Sequence, residues 1–146
     1  MHKEFEMSLL GELTYFLGLQ ITQHDDGIFI SQTKYIKEML KKFDMEGCKA
    51  VSTPMITSCK LSKDDTSPVA DQKSYRSMIG NLLYVTASRP DVMHAVGQVA
   101  RFQEAPTKAH VVAVKRIFRY LQGTKEFGLW YPKGNQLDLA AFSDAD

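Results

Sequence analysis

The fold is decided by residues 15–36, which read YFLGLQITQHDDGIFISQTKYI. Apolar side chains alternate from Tyr15 to Ile21, with the two-residue period of a half-buried β-strand. Asp26-Gly27 follows, and this dipeptide is a strong hairpin-turn signal because glycine accepts positive φ angles. A second short strand, Ile28–Ile30, then returns. The stretch therefore predicts a β-hairpin over residues 14–31.

Four amphipathic helices are predicted after the hairpin, near residues 32–43, 75–86, 90–103 and 108–122. Ser31 and Thr107 are predicted N-caps, and Pro90 suits a first helical turn because its missing N–H would be unpaired there anyway. Between the first two helices, residues 44–72 read as a long loop. The predicted buried faces are Tyr35, Ile36, Met39, Leu40 and Phe43; Tyr75, Met78, Ile79, Leu82 and Leu83; Val92, Ala95, Val96 and Val99; and Val111, Val114, Ile117, Phe118 and Leu121.

The C-terminal part predicts a second β-hairpin. Its strands lie near residues 127–131 and 137–143, on either side of Pro132-Lys133-Gly134-Asn135. The order hairpin, four helices, hairpin makes the expected fold class α+β.

Composition sets broad limits on function. The chain has 146 residues with 44% hydrophobic and 24% charged side chains, as in a single globular domain. Its formal net charge of +1 excludes a globally basic DNA-coating protein, although a local basic stripe fits within that total. Cys48 and Cys59 have no C-x-x-C spacing, which favours free thiols over a zinc site. No apolar run is long enough for a membrane span, so we expect a soluble intracellular protein, cytoplasmic or nuclear.

The last predicted helix carries the clearest charge signal. Lys108, Lys115 and Arg119 are spaced i, i+7 and i+11, and Arg116 lies beside them. Such a stripe can neutralise nucleic-acid phosphates. A solvated helix face explains the same pattern, and the spacing alone leaves both interpretations open.

Paired carboxylates give a weaker signal for a metal site. Asp25-Asp26 and Asp64-Asp65 lie in turn or loop segments, where aspartate is favoured for hydrogen bonds to its own backbone. Asp144 and Asp146 follow an apolar strand, and a carboxylate in that place can anchor a catalytic metal. Frayed terminal acids are the alternative, and the residues alone do not decide between the two.

Taken together, the sequence blocks resemble the reverse transcriptase of copia-type LTR retrotransposons, in its plant-like form. The resemblance follows the family order along essentially the whole chain. The blocks that carry it are Phe5-Glu6-Met7-Ser8, Gly11-Glu12-Leu13, residues 15–21, residues 27–36, Thr53-Pro54, residues 75–84, Ser88-Arg89-Pro90-Asp91, residues 113–121, Gly123-Thr124, residues 128–131 and Phe142–Asp146.

The resemblance implies a division of the chain within a Pol polyprotein. Residues 1–32 would be the end of the reverse-transcriptase palm with a primer-grip-like hairpin, in which Phe16, Leu17 and Gly18 contact nucleic acid. Residues 33–126 would be a helical region like the thumb and connection, which clamps the template–primer duplex. Residues 127–146 would be a connection strand and the truncated first strand of RNase H.

The same resemblance implies the expected partners and cofactor. Asp144 would match the first RNase H carboxylate, as a catalytic and metal-binding residue that needs a complete RNase H domain. Mg²⁺ would serve the complete parent enzyme, and this chain by itself would hold no cofactor. The expected partners are an RNA–DNA hybrid or template–primer duplex and the remainder of the Pol polyprotein, with no membrane.

The chain alone is expected to be catalytically inactive. The polymerase motif of the family, Tyr-x-Asp-Asp, does not occur in the sequence. A two-metal reaction needs several convergent carboxylates, and the family supplies the other RNase H acids after the block that ends this sequence. The leading hypothesis is therefore a reverse-transcriptase segment that retains duplex-contacting regions. The alternative is a decayed retroelement remnant with no activity and only a small structural fold.

Overall fold

In a computed structural model, residues 12–56, 60–63 and 66–134 form a four-stranded sheet and a group of helices. This arrangement confirms the predicted α+β class. The predicted strand at 137–143, Asp64-Asp65 and Asp144 lie outside the described residues. In chain order the elements are β1 (Glu12–Phe16), β2 (Leu19–His24), β3 (Gly27–Ser31), α1 (Thr33–Lys42), α2 (Gln72–Val85), a 3₁₀ turn (Pro90–Val92), α3 (Met93–Ala100), α4 (Lys108–Gly123) and β4 (Gly128–Pro132).

The sheet has the order β1-β2-β3-β4, and every neighbouring pair is antiparallel. Ile28 of β3 is paired with Tyr131 of β4, and Ser31 with Gly128. The C-terminal strand β4 thus joins the N-terminal sheet. The sequence had predicted this strand as part of a separate C-terminal hairpin. The Asp25-Asp26 turn between β2 and β3 is present as predicted.

The prediction of one continuous strand from Tyr15 to Ile21 is wrong. Leu17 and Gly18 form a two-residue turn with φ angles of 53° and 83°, and Phe16 pairs with Leu19 across it. Two positive φ angles are what a type I′ hairpin turn requires. Tyr15 pairs with Gln20 and Ile21 with Thr14, so Tyr15 and Ile21 face opposite sides of the sheet despite their alternating spacing.

The helices meet in one hydrophobic core, as the helical spacing predicted. Leu83 is the exception, because it is exposed whereas Val85 of the same helix is buried. The core comprises Ile36, Met39, Leu40, Tyr75, Met78, Ile79, Leu82, Val85, Val92, Ala95, Val96, Val99, Phe102, Val114, Ile117, Phe118 and Leu121.

The starts of the helices were predicted with mixed success. Ser31 is not the N-cap of α1, because it is the last residue of β3 and Gln32 occupies the cap position. The Gln20 side chain accepts a hydrogen bond from the backbone N–H of Lys34 at 2.7 Å, which satisfies one donor of the first turn. Thr107 caps α4 as predicted, in a capping box where His110 Nδ1 accepts the Thr107 N–H at 3.0 Å.

Candidate nucleic-acid interface

The β1–β2 turn presents apolar side chains to solvent. Tyr15, Phe16 and Leu17 are 55%, 61% and 74% exposed. Gly18 packs against Tyr84 of α2 so closely that a Cβ at this position would overlap the Tyr84 hydroxyl. The tip is therefore held against the helices while its aromatic and aliphatic side chains stay exposed to solvent.

Tyr84 links the hairpin tip to the helical core. Its ring lies against that of Tyr35, with centroids 4.7 Å apart, and the Tyr35 hydroxyl donates to Asn81 Oδ1 at 2.9 Å. Burial, followed by the neighbouring Tyr84, raises the pKa of Tyr35 above its usual value. Gln32 Nε2 donates to the Tyr84 carbonyl at 3.2 Å, which ties the start of α1 to the end of α2.

A lysine face of α1 lies next to this tip. Lys34 Nζ is 5.7 Å from the centroid of the Tyr15 ring, within the range of a cation–π contact. Lys37 and Lys41 are also exposed and follow at i+3 and i+7 on the same side of the helix. These lysines were missing from the predicted site residues. Their signal was present in the sequence, because they lie opposite the apolar stripe of the helix.

The four cations predicted as one stripe on α4 divide into two pairs. Lys108 and Lys115 are exposed. Arg116 Nη2 donates to the Thr53 hydroxyl at 2.9 Å, and Arg119 Nε donates to the Lys49 carbonyl at 3.0 Å. The two arginines thus hold residues 49–53 against the helix, and the two lysines are the cations of this set that face solvent.

Arg89 is the most buried charge in the described part of the chain, at 1% exposure. Its guanidinium binds Asp91 through two hydrogen bonds of 3.0 and 2.8 Å and donates to the carbonyl and hydroxyl of Thr124. It also lies over the rings of Tyr120 and Phe127. This one side chain therefore joins the α2–α3 connection, the end of α4 and the segment that leads into β4.

Asp91 is held in its charged form by this network. Its burial opposes ionisation, but hydrogen bonds from Arg89 and from the Tyr120 hydroxyl at 2.6 Å, together with the Arg89 charge, outweigh it and lower the pKa of Asp91. Burial and then the hydrogen bond to Asp91 raise the pKa of Tyr120. The arrangement of one cation, one carboxylate and one phenol is a fully paired structural link.

The carboxylates of the described residues do not assemble a metal site. Asp25 and Asp26 are exposed in the β2–β3 turn. Within residues 12–56, 60–63 and 66–134, no three or more His, Cys, Asp or Glu side chains are grouped so that they could hold a metal ion. In the same part of the chain, no helix has the length and apolarity to cross a membrane.

Comparisons with known proteins relate the chain to reverse transcriptases and to transposon polyproteins. The family described as reverse transcriptase (RNA-dependent DNA polymerase) matches residues 1–57, which include the hairpin and α1. No solved structure gives a significant match.

Three relatives extend the similarity over nearly the whole chain. The chain is 42% identical over 135 residues to the retrovirus-related Pol polyprotein from transposon RE1 of Arabidopsis thaliana, covering 92% of this chain and 9% of that protein. It is 39% identical over 153 residues to the corresponding polyprotein from transposon TNT 1-94 of Nicotiana tabacum, covering 99% of this chain and 11% of that one. An uncharacterized mitochondrial protein of Arabidopsis thaliana is 40% identical over 142 residues, covering 97% of this chain and 59% of that protein. The chain thus spans about a tenth of each polyprotein, and it belongs to the copia-type retrotransposon Pol family, in which it corresponds to one segment that includes reverse-transcriptase sequence.

Proposed function

We propose that this chain is a duplex-holding segment of a copia-type reverse transcriptase, which binds an RNA–DNA hybrid or a template–primer through the sugar–phosphate backbone. The observation that carries the proposal is the hairpin tip. Tyr15, Phe16 and Leu17 are exposed although they are apolar, and Gly18 and Tyr84 fix the turn that presents them. An apolar tip next to a lysine suits contact with the sugars of a duplex beside a phosphate.

The lysines supply the electrostatic part of the proposed interface. Lys34 lies beside the tip, Lys37 and Lys41 follow it along α1, and Lys108 and Lys115 lie on α4. Each cation that neutralises a phosphate releases counterions, so affinity would fall steeply with salt. Backbone contacts carry no base readout, so sequence preference would be weak.

Catalysis by the isolated chain is not part of the proposal. Asp144 keeps its proposed role as the first RNase H carboxylate, with Mg²⁺ as the metal of the complete parent enzyme. The described residues do not fit a magnesium site by themselves, because they bring together no sufficient set of ligands. Nucleotide incorporation and hybrid cleavage by the purified chain, measured with Mg²⁺ and Mn²⁺, should both be absent.

Fluorescence anisotropy with a labelled RNA–DNA hybrid over a salt series tests the interface. Lys108→Gln combined with Lys115→Gln should reduce the slope of log affinity against log salt by about two units if both lysines contact phosphates. Lys63→Gln combined with Lys73→Gln removes the same charge from exposed positions that are not assigned to the interface. The control should leave the slope within about half a unit of the original.

The hairpin tip is tested separately from charge. Phe16→Ser should weaken binding roughly tenfold while leaving the salt slope unchanged, because apolar contact area with the sugars is lost without loss of a cation. If hybrid binding is absent at low salt in a folded protein, or if neither variant changes it, the proposal fails. The alternative, a remnant with only a small structural fold, then stands.

A further inference from the structure

The loop segment of residues 49–53 is fastened to α4 by two arginine side chains of that helix. Arg119 Nε donates to the Lys49 carbonyl at 3.0 Å, and Arg116 Nη2 donates to the Thr53 hydroxyl at 2.9 Å. Lys49 and Thr53 are exposed, and both hydrogen bonds lie at the surface. A guanidinium of α4 is thus already paired with a hydroxyl on the surface of the loop.

The charges along these two segments are positive. Arg116 and Arg119 are three residues apart and therefore lie on the same side of α4. The sequence of α4 contains no Asp or Glu. The sequence of residues 47–63 contains none either, although it includes three lysines. An anionic group added to the Thr53 side chain would therefore be attracted by its neighbours in both segments.

Thr53 is followed by Pro54, which disfavours a helical backbone at the threonine and favours an extended one. An extended segment with an exposed hydroxyl suits an enzyme that modifies this side chain. Ser67 also precedes a proline, but it is only partly exposed, and its Oγ accepts the backbone N–H of Ala109 at 3.2 Å. The chain therefore offers two hydroxyls before proline that differ in exposure, and Thr53 is the one paired with an arginine side chain.

We propose that Thr53 is a phosphorylation site, at which a proline-directed protein kinase transfers the γ-phosphoryl group of ATP to the threonine Oγ1. The bond from Oγ1 to phosphorus forms, the bond from the γ-phosphorus to the bridging oxygen breaks, ADP leaves, and the hydroxyl proton passes to the carboxylate base of the kinase. The terminal phosphoryl oxygens accept charge-assisted hydrogen bonds from the Arg116 guanidinium and hold residues 49–53 more firmly to α4. This site goes beyond the proposed duplex-holding function and does not depend on it.

Incubation of the full chain with a purified proline-directed kinase and ATP, followed by mass spectrometry of its peptides, tests the modification. The occupancy of phosphate at Thr53 should be at least about threefold that at Ser67, because exposed loop residues are the more accessible ones. Thr53→Ser should keep the modification at this position and Thr53→Val should remove it, with circular dichroism to confirm that each variant is folded. An unmodified Thr53 in the folded chain, or a higher occupancy at Ser67, would overturn the proposal.

Thermal unfolding with and without phosphate tests the contact to Arg116, in a Ser67→Ala background that excludes the other site. Phosphorylation should raise Tm by about 2–4 °C, because new charge-assisted hydrogen bonds tie the loop to the helix. Arg116→Gln should remove at least about half of this rise, whereas Lys115→Gln, which removes the same charge from the neighbouring position, should change it by less than about 1 °C. Comparing each variant with its own phosphorylated form cancels the effect of the substitution itself. Equal rises in the two variants, or no rise in the parent chain, would refute the contact.

Discussion

The helical core and the β-sheet of this molecule are packed to very different degrees. Ile36, Ile79 and Phe118 in the helices are completely buried. In the described strands only Gly27 and Ser31 are buried, and every larger strand residue whose side chain is described remains partly or largely exposed. The helices thus share one closed hydrophobic core, whereas the described strands keep apolar side chains partly or largely exposed. The difference separates the part whose packing stabilises the fold from the part to which the proposed duplex contact is assigned.

The largest expected effect tests this difference directly. Phe118→Ala should lower the free energy of unfolding by about 3–5 kcal/mol, because it removes a fully buried aromatic ring and leaves a cavity. Phe16→Ala removes the same ring from an exposed position of β1 and should cost less than about 1 kcal/mol. Urea unfolding of both variants measures the two values. Similar losses would show that the sheet is as tightly packed as the core.

The next effect concerns the link between the two regions. Arg89→Ala should destabilise the protein by about 2–3 kcal/mol, because it leaves Asp91 and the Thr124 carbonyl without their buried partner. Arg89→Lys should recover little, since an ammonium cannot reproduce the two-pronged contact. Arg76→Ala is the control, because its exposed ion pair with Glu104 at 3.7 Å should contribute less than about 0.5 kcal/mol. Equal unfolding midpoints for Arg89→Ala and Arg76→Ala would show that Arg89 does not stabilise the link between the helices and the segment before β4.

One glycine in the sheet and one in the helices should respond to alanine with opposite changes in the free energy of unfolding. Gly18→Ala should destabilise by about 1–2 kcal/mol, because its φ of 83° strains a residue with a Cβ and Tyr84 leaves no room for one. Gly80→Ala in α2 meets no atom within 4 Å and should stabilise by about 0.5–1 kcal/mol. Thermal unfolding distinguishes them. If Gly18→Ala is neutral, the turn is not held as described.

The smallest expected effect is a pH dependence at the same link. Because the pKa of Asp91 in the folded protein is below its usual 3.8, the unfolded chain binds the proton first as pH falls. The stabilisation is therefore complete above about pH 5 and is lost progressively as pH drops through 3.8 towards the folded-state pKa. Asp91→Asn should flatten this part of the stability profile, measured by urea unfolding between pH 2.5 and 6. An unchanged profile would assign the acid sensitivity to other carboxylates.

The helices could be predicted because the spacing of apolar residues that indicates a helix lies within each helical segment. Apolar residues at helical spacing identified the buried faces, and Thr107 identified the start of α4. Leu83 was assigned to the core although it faces solvent, because the periodicity of α2 alone does not show where its partner helices end. The turn at Leu17-Gly18 was missed since leucine seldom adopts a φ of 53° and the alternation of apolar residues continues across it.

The features that the sequence did not reveal depend on distant contacts. No local pattern indicates that Arg116 and Arg119 reach back to Thr53 and Lys49 and leave Lys108 and Lys115 as the exposed pair. The hairpin tip residues Phe16, Leu17 and Gly18 were proposed from the family resemblance. Their exposure fits that prediction, which the hybrid-binding experiment tests.

The pairing of β3 with β4 has a consequence for synthesis of the chain. Gly27–Ser31 leaves the ribosome well before Gly128–Pro132, so one edge of β3 stays unpaired while all four helices are made. An open strand edge recruits other strands, and long-range pairing is slow because it closes a large loop. We therefore expect the nascent chain to be prone to aggregation until β4 pairs with β3. Chaperone occupancy of stalled nascent chains should drop once the stalling point lets β4 emerge.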